Sequence, residues 1–506
     1  MFEDLNAFTW ILTLLSTAAL ILEILALLSV IHALQHVRSS QATVAWTVGL
    51  ITFPLLTLPL YWLLSRNRFA GYREAIREIG VEHSRSVQSV QDELHTTTYA
   101  RTTRQQTALD RLADTLDTPI SDTEEAQLLI DGQQFFKTAF DEISLARRYI
   151  YASFYILRDD QLGRQFANAL IAKANQGLQV RVVFDEVGSL RLSDNYLQEL
   201  REAGVDIRPF HTQQGWTNRF QINFRNHRKL IVIDGHTALV GGLNIGNEYL
   251  GTAANLPSWR DTGILFRGKA ARKIQAVFAG DYYWAARKDL SEADWTSFPD
   301  GLPQKTPAKD HPTPSPREQF KQRSESFETH RMAICATGPA DMRPRASMMF
   351  AEIANSARQR LWICTPYLVP DESTLVALHG ARARGVDVRL LIPDRADHWA
   401  VYLAGIHYAR LLAEAHIRVH RYTAGFMHQK CILVDNSLAL IGSTNLDQRS
   451  LHLNFELMVA TEDPHIIGEV SAMIQNDLNL SVEDHPTRWW LTNIGTAFAR
   501  LFSPIL

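Results

Sequence analysis

Two stretches decide the fold, and they read His227-Arg-Lys-Leu-Ile-Val-Ile-Asp234 and His428-Gln-Lys-Cys-Ile-Leu-Val-Asp435. Six residues separate each Asp from the next segment, which reads Gly241-Gly-Leu-Asn244 in the first copy and Gly442-Ser-Thr-Asn445 in the second. The four apolar residues before each Asp predict a buried strand. His and Lys are two positions apart, so on a strand both side chains lie on the same face. Each copy therefore presents an imidazole beside an ammonium group, and its glycines suit a turn where the backbone approaches a ligand closely.

The sequence around the two copies repeats as well. Residues Ala146–Tyr155 and Ala357–Tyr367 predict strands, each followed by a helical stretch. Residues Gly177–Asp185 and Gly385–Asp394 then predict the next strand of each half. Strand, helix and strand in this order are typical of βαβ units. The repeat therefore predicts an α/β fold of two pseudo-symmetric halves, each with a mixed β-sheet flanked by helices.

Two apolar runs near the N-terminus predict membrane helices. Residues 8–31 contain a single charged side chain, Glu23, and exceed the roughly 20 residues that span a bilayer. Residues 44–64 form a second run, with Pro54 and Pro59 inside it, which membrane helices tolerate. The first run is too long for a signal-peptide core and has no basic residues before it. We expect two spanning helices, with Glu23 either functional or bonded between them.

Charge and composition indicate how the remaining chain is arranged. Four arginines follow the second apolar run and one lies between the runs, which places the large C-terminal part in the cytoplasm by the positive-inside rule. A proline-rich polar stretch between the halves is typical of a linker. The predicted parts are a transmembrane hairpin (1–65), a polar connector (66–125), the first half (126–297), a Pro-rich linker (298–328) and the second half (329–506).

The overall composition argues against two classes of protein. Net charge is −3 over 506 residues, without the basic excess that is typical of nucleic-acid binding. The three cysteines, Cys335, Cys364 and Cys431, fit neither a metal motif nor a disulfide framework. Each lies in an apolar strand-like run, so we expect buried, reduced thiols.

The paired motifs fit phosphodiester transfer without a metal ion or other cofactor. One histidine attacks phosphorus and becomes a phosphohistidine, while the other protonates the leaving alkoxide and then accepts a proton from the incoming alcohol. A metal site is the alternative, but lysine is a poor ligand and no HxH or HExxH pattern is present. The two aspartates could instead cap a strand or pair with lysine. The predicted catalytic residues are His227, Lys229, Asp234, His428, Lys430 and Asp435.

Residues 126–506 resemble the phospholipase D superfamily through this duplicated motif. Further segments are similar to bacterial cardiolipin synthases, namely the two N-terminal spans, Thr365–Pro370, Asn445–Ser450, Asn454–Glu456 and Phe502–Leu506. The resemblance implies a multi-pass protein of the bacterial inner membrane. It also implies that two phosphatidylglycerol molecules condense to cardiolipin and glycerol. The sequence leaves open whether phosphatidylethanolamine replaces one of the two lipids.

The resemblance also implies roles for single residues. A carboxylate downstream of each motif holds the other ring nitrogen of a histidine, and Asp261 and Glu456 match it by position. His227 is then the nucleophile and His428 the acid and base. Arg449 either binds lipid phosphate or pairs with an internal carboxylate. The amides of Asn244 and Asn445 and the hydroxyl of Ser443 are expected to support substrate binding, and the first half has Gly242 in place of that serine.

Three other functions compete with transfer between lipids. A lipid hydrolase would use the same residues with water as the acceptor. A nuclease would share the motif, but the near-neutral charge and the membrane segments count against a polyanionic substrate. A scaffold with an inactive site is disfavoured because His, Lys and Asn are intact in both copies. The sequence does not indicate the oligomeric state.

Overall fold

The computed structural model describes residues 2–37, 40–65, 69, 71–75, 77, 106–211, 223–251, 258–290, 293, 330–395 and 399–484. They belong to two compact units, Met1–Arg73 with His211–Phe224, and Glu74–Phe210 with Arg225–Leu506. The predicted linker at 298–328, most of the connector before residue 106 and the segment from 485 lie outside the described residues.

The N-terminal unit contains helices α1 (Phe2–His36), α2 (Ser40–Thr52) and α3 (Pro54–Leu64). The second apolar run is therefore divided, and Phe53 between its helices has an extended φ of −135°. The proline ring clashes with the preceding residue when that residue has helical φ and ψ angles, which explains the break. Within the described residues only the stretch 9–36 is long and apolar enough to cross a membrane. The structure thus supports one spanning helix and does not confirm the second.

Polar contacts join α1 to α3. The Trp62 indole N–H donates to Ser29 Oγ at 3.0 Å, and His32 Nδ1 lies 2.6 Å from the Tyr61 hydroxyl. Glu23 is exposed on α1, and no interhelical hydrogen bond of its side chain occurs among the described residues.

The larger unit repeats one arrangement of helices and strands. Its first half consists of α4 (Ala108–Leu116), β1 (Ile120–Ile130), α5 (Asp131–Leu145), β2 (Tyr149–Phe154), α6 (Gln161–Asn175), β3 (Gln179–Asp185), α7 (Asp194–Glu202), β4 (Asp206–Phe210), β5 (Arg225–Asn226), β6 (Leu230–Ile233), β7 (Thr237–Gly241), a 3₁₀ turn (Asn247–Leu250), β8 (Trp259–Arg260), β9 (Thr262–Gly268) and α8 (Lys269–Ala286).

The second half follows the same plan. It consists of β10 (His330–Thr337), α9 (Arg345–Ser356), β11 (Arg360–Cys364), β12 (Leu368–Val369), α10 (Glu372–Ala383), β13 (Asp387–Pro393), α11 (Trp399–Glu414), β14 (Arg418–Tyr422), β15 (Phe426–Met427), β16 (Cys431–Val434), β17 (Leu438–Gly442), β18 (Leu446–Asp447), α12 (Gln448–His452), β19 (Asn454–Thr461), α13 (Pro464–Asn479) and β20 (Ser481–Glu483).

One mixed sheet runs through both halves. The order β4-β3-β2-β6-β7-β9-β1 in the first half corresponds to β14-β13-β11-β16-β17-β19-β10 in the second. In each half the outer three strands are parallel, joined by crossover helices, and the inner strands are antiparallel. Strands β1 and β10 pair antiparallel and join the halves. The predicted mixed α/β fold of repeated halves is confirmed.

Local sequence signals explain the matching helix ends. Asp160 and Asp371 cap the N-termini of α6 and α10 by accepting from the amides of Gly163 and Thr374 at 2.9 and 2.8 Å. Each of these two helices is followed by a glycine with a left-handed φ, 87° at Gly177 and 89° at Gly385.

The core explains two further features. Helix α4 begins at residue 108 and β1 at residue 120, so both start within the range predicted to be a polar connector. The leucines of α4 pack into the apolar core of the second half. Cys335, Cys364 and Cys431 are buried and free, which confirms the prediction for the cysteines.

Candidate active site

The two histidine motifs lie where the halves exchange backbone. Strand β5, just before His227, pairs with β19 of the second half, and β15, just before His428, pairs with β8 of the first half. The His227 amide donates to the Phe455 carbonyl at 2.9 Å, and the His428 amide donates to the Arg260 carbonyl at 2.8 Å. Each histidine is therefore held by a strand of the opposite half, and the carboxylate of that half lies within the strand (Glu456 in β19) or directly after it (Asp261 after β8).

The side chains cross in the same way. His227 Nδ1 lies 2.9 and 3.0 Å from the two oxygens of Glu456, and His428 Nδ1 lies 2.6 Å from Asp261 Oδ2. Both carboxylates are buried. Such a partner fixes the tautomer and leaves Nε2 of each ring for chemistry. Glu456 and Asp261, the two acids that the resemblance identified, thus each contact a histidine, and each acid belongs to the half opposite its histidine.

Glu456 is held by hydroxyl groups as well as by the imidazole. Ser443 Oγ and Ser450 Oγ donate to its oxygens at 2.6 and 2.7 Å. Burial favours the neutral acid, but His227 and Lys229 outweigh burial and lower the pKa of Glu456. Burial lowers the pKa of His227 to about 4, although Glu456 opposes this shift. A neutral imidazole beside an ionised carboxylate is the state that a nucleophile requires.

Asp261 has a different environment. The Thr262 amide donates to Asp261 Oδ1 at 2.8 Å. Burial raises the pKa of Asp261 to about 6, against the attraction of Lys430. A Cβ on Gly242 would lie 2.2 Å from Asp261 Oδ1. The serine of the second half is therefore replaced by glycine in the first because the carboxylate of Asp261 occupies that space.

The lysines are buried beside the histidines. Lys229 Nζ donates to the His227 carbonyl at 2.7 Å and lies 5.4 Å from the centre of the Tyr155 ring. Lys430 Nζ donates to the His428 carbonyl and lies 2.8 Å from His428 Nδ1. An ammonium group can only donate hydrogen bonds. When His428 Nδ1 donates to Asp261, Lys430 therefore donates to the His428 carbonyl and not to Nδ1.

Electrostatic coupling shows that the two motifs share one site. Burial lowers the pKa of Lys229 well below its usual value, and Lys430 adds to that effect. Lys430 also acts on His227, and both Lys229 and His227 act on Asp261. A bound phosphodiester brings negative charge to this place and favours the ammonium form of both lysines.

The amides and Arg449 lie at the margin of the site. Asn244 accepts from the Ile156 amide at 3.0 Å and donates to the Tyr249 hydroxyl at 2.9 Å. Asn445 donates to Asp447 at 3.2 Å, and its buried Oδ1 has no hydrogen-bond partner among the described residues. Arg449 lies within electrostatic range of Asp447 and Tyr155, and burial lowers the pKa of its guanidinium. Both alternatives for Arg449 remain predictions.

Asp234 and Asp435 accept hydrogen bonds from the backbone. Each lies beyond a four-residue strand from its lysine and has a left-handed φ, 53° and 52°. The Asp234 carboxylate accepts from the amides of three consecutive residues, 147–149, at 2.8 to 2.9 Å. Asp435 accepts from the amides of residues 358–360 in the same way. Both carboxylates anchor the loop before a neighbouring strand, which favours their structural role over direct chemistry.

The motif glycines also have a structural reason. A Cβ on Gly442 would lie 2.1 Å from the Leu457 carbonyl oxygen, and one on Gly241 would lie 2.8 Å from Gly263 Cα. The expected close approach to a ligand is therefore an approach to a neighbouring strand. Glycine is needed there because the strands that carry the carboxylates lie so near.

Aromatic residues lie around both histidines, and sequence reasoning assigned no role to Trp259, Tyr249 or Phe426. The Tyr155 ring lies 5.0 Å from the ring of His227. Trp259, Tyr249 and Phe426 lie 4.6, 5.8 and 6.1 Å from the ring of His428. Trp259 directly precedes the Arg260-Asp261 pair, which is the only sequence signal that could have identified it.

The geometry defines what the site can do. Two imidazoles with their Nδ1 atoms engaged, two ammonium groups and neutral amides surround one place. Among the described residues, no group of three or more His, Cys, Asp or Glu side chains is arranged to hold a metal ion. The arrangement supplies a nucleophile, a proton donor and positive charge for non-bridging oxygens, which together fit phosphodiester transfer.

Fold and site thus define a phospholipase D-like protein with two fused halves. The model of the family described as "Cardiolipin synthase, PLD-like domain" matches residues 140–280 and 350–478. A second model, "Phospholipase_D-nuclease N-terminal", matches residues 24–66. The crystal structure of a phosphatidylserine synthase from Haemophilus influenzae Rd KW20 has a TM-score of 0.57 at 14% identity, covering 78% of this chain and 99% of that chain, which shows the fold alone.

The chain belongs to the cardiolipin synthase family of the phospholipase D superfamily. "Cardiolipin synthase A" of Pseudomonas aeruginosa PAO1 is 39% identical over 491 residues, 96% of this chain and 95% of the relative. "Cardiolipin synthase A" of Pseudomonas syringae pv. syringae B728a is 38% identical over 483 residues, 94% of this chain and 95% of the relative.

Proposed function

We propose that this enzyme condenses two phosphatidylglycerol molecules to cardiolipin and glycerol. The observation that carries the proposal is the single buried site in which each half supplies a histidine, a lysine and the carboxylate that orients the opposite histidine. The near full-length similarity to proteins named cardiolipin synthase A supports this choice of substrate. Phosphatidylethanolamine is the alternative for one of the two lipids.

The reaction proceeds in two steps through a covalent intermediate. His227 Nε2 attacks the donor phosphorus, and the bond to the glycerol oxygen breaks as His428 Nε2 gives that oxygen its proton. The acceptor hydroxyl then attacks phosphorus, its proton passes to His428, and the bond between phosphorus and His227 breaks. Lys229 and Lys430 neutralise the non-bridging oxygens in both steps. The low pKa of His227 supports its assignment as nucleophile because the ring is neutral near pH 7.

We further propose a multi-pass location in the bacterial inner membrane. Helix α1 spans the bilayer, and α2 with α3 forms the second, kinked span because neighbouring helices can satisfy a backbone interrupted at proline. The catalytic unit then lies in the cytoplasm, where the arginines that follow α3 would also lie. The lipid substrates would reach the site without leaving the membrane.

The test of the function is the identity of the products. Purified full-length enzyme is incubated with defined phosphatidylglycerol in detergent, and the lipid and water-soluble products are identified by mass spectrometry. Cardiolipin and glycerol in equal amounts are expected. Phosphatidic acid without cardiolipin would contradict the proposal and identify a phospholipase D-type hydrolase. Adding phosphatidylethanolamine shows whether its head group, ethanolamine, is released as well.

A further inference from the structure

A small pocket that is open to solvent lies at one edge of the second half. Strands β11, β13 and β14 are parallel, so their C-terminal ends, and the pocket between them, lie at the same edge of the sheet. Strand β16 runs antiparallel to β11 and pairs Cys431 with Cys364. His428 comes three residues before Cys431, and Tyr367, which lines the pocket, comes three residues after Cys364. The pocket is therefore on the edge that carries His428.

Two arginines, Arg395 and Arg421, line this pocket, and no acidic residue lines it among the described residues. Arg421 forms an ion pair at 2.7 Å with Asp484, which does not line the pocket. Its guanidinium carbon lies 5.3 Å from the centre of the Tyr402 ring. Arg395 is exposed. The pocket thus combines cations with aromatic surface, which suits an anion attached to an organic group.

The first half lacks this charge at the equivalent place. In the second half, the next-to-last residue pair between β13 and β14 is Ile392 with Arg421. In the first half, the next-to-last residue pair between β3 and β4 is Phe184 with Pro209. Proline therefore replaces Arg421 there. The two halves are otherwise alike in topology. An anion site additional to the active site would therefore be present on the His428 side alone.

The proposed chemistry requires an anion site on that side. The acceptor hydroxyl must approach His428, and a phosphatidylglycerol acceptor carries its own phosphate three carbon atoms away from that hydroxyl. A neutral alcohol or water carries none. Near the pocket, Trp399 is 72% exposed, and its ring lies 6.0 Å from that of Tyr402. An exposed tryptophan is typical of a surface in contact with the interfacial region of a membrane.

We propose that the pocket containing Arg395 and Arg421 binds the phosphate of the acceptor phospholipid while its glycerol hydroxyl lies at His428. This inference rests on the proposed function. The pocket would then determine which acceptor reacts. An acceptor phosphate bound there places the hydroxyl of the lipid at the position from which water would otherwise react. The donor lipid and the covalent step do not use the pocket.

The test separates acceptors at a constant donor. Full-length wild-type enzyme, Arg395→Gln and Arg421→Gln are given phosphatidylglycerol, and two rates are measured, cardiolipin formation and exchange of labelled glycerol into phosphatidylglycerol. Each substitution should lower cardiolipin formation about tenfold or more and change glycerol exchange less than twofold. Arg418→Gln is the matched control, since Arg418 lies on the same strand and pairs with Asp387 at 2.6 Å outside the pocket.

Equal loss of both rates in Arg395→Gln, or no loss of either, would overturn the inference. Arg395 is exposed, so its substitution is not expected to unfold the enzyme even if that of Arg421 does. Glycerol phosphate is a further acceptor. If the substitutions also lower transfer to it, the pocket recognises phosphate; if they lower only transfer to phosphatidylglycerol, it serves the lipid chains and the inference fails. Failure of the wild type to form cardiolipin would instead contradict the proposed function.

Discussion

The surroundings of His227 and His428 differ although their motifs are alike. His227 faces an ionised Glu456 that two serine hydroxyls hold, and one tyrosine ring lies beside it. His428 faces Asp261, whose pKa burial raises to about 6, and three aromatic rings surround it. A fixed anion beside a neutral ring suits nucleophilic attack, whereas a carboxyl group that titrates near neutrality suits proton exchange. The two motifs are alike, and we propose that the residues around them give each motif its own step.

The largest expected effect comes from removing either histidine. His227→Ala and His428→Ala should each lower cardiolipin formation by about 10⁴-fold or more. A lipid donor with a nitrophenolate leaving group separates the two, since that leaving group needs no proton. We expect His428→Ala to release one equivalent of nitrophenolate per enzyme and His227→Ala to release none, as followed by absorbance. The opposite pattern would reverse the two roles.

Replacing the orienting carboxylates should have the next largest effect. Glu456→Gln should slow nitrophenolate release by between about 10² and 10⁴-fold because the His227 ring loses its fixed tautomer. Asp261→Asn should slow cardiolipin formation by a similar factor and leave nitrophenolate release nearly unchanged. Rapid-quench kinetics measure both steps. If each acid instead affected the histidine of its own half, the crossed pairing would be wrong.

The pH dependence should differ between the two steps. The His227 ring is neutral above its pKa of about 4, so nitrophenolate release should stay constant from pH 5 to 8. The Asp261 carboxyl gains its proton below a pKa of about 6, so cardiolipin formation should fall about tenfold for each pH unit below 6. This second dependence should disappear in Asp261→Asn. A common inflection in both steps would contradict the separate assignments.

A smaller effect is expected where the two halves differ by one side chain. Gly242→Ala places a Cβ 2.2 Å from Asp261 Oδ1, which should reduce the free energy of unfolding by about 1–3 kcal/mol and slow the His428 step. Ser443→Ala removes one hydrogen bond to Glu456 and should cost about 1 kcal/mol. Denaturant titration in detergent gives both values. A Gly242→Ala enzyme with normal stability would show that the space is not restricted.

The smallest effect on chemistry is expected at the two anchoring aspartates. Asp234→Asn and Asp435→Asn weaken three amide hydrogen bonds each and should reduce the free energy of unfolding by about 1–3 kcal/mol. Turnover per folded enzyme should change less than threefold. A loss near that of the histidine variants, measured on protein shown to be folded, would restore the aspartates to the catalytic set.

Much of this architecture could be predicted from the repeat. Strand, helix and strand recur at matching places, so the mixed fold follows from local patterns, as does the burial of Cys335, Cys364 and Cys431. The crossed pairing could not be predicted, because no local pattern records that β5 and β15 add to strands of the opposite half. Pro54 is a sequence signal for the break in the helix at Phe53. Hydropathy does not detect the break, because residues 44–64 are apolar throughout. The hydrogen bonds that Asp234 and Asp435 accept could not be predicted, because the amides that donate them are distant in sequence.

The most direct test of the account is the location of the covalent intermediate. Wild-type enzyme is quenched in alkali milliseconds after mixing with phosphate-labelled phosphatidylglycerol, because phosphohistidine is stable in base, and the labelled peptide is sequenced. Asp261→Asn should accumulate the label and Glu456→Gln should form it slowly. We predict the label on His227 in every case. Label on His428, or accumulation in Glu456→Gln in place of Asp261→Asn, would contradict the division of labour between the halves.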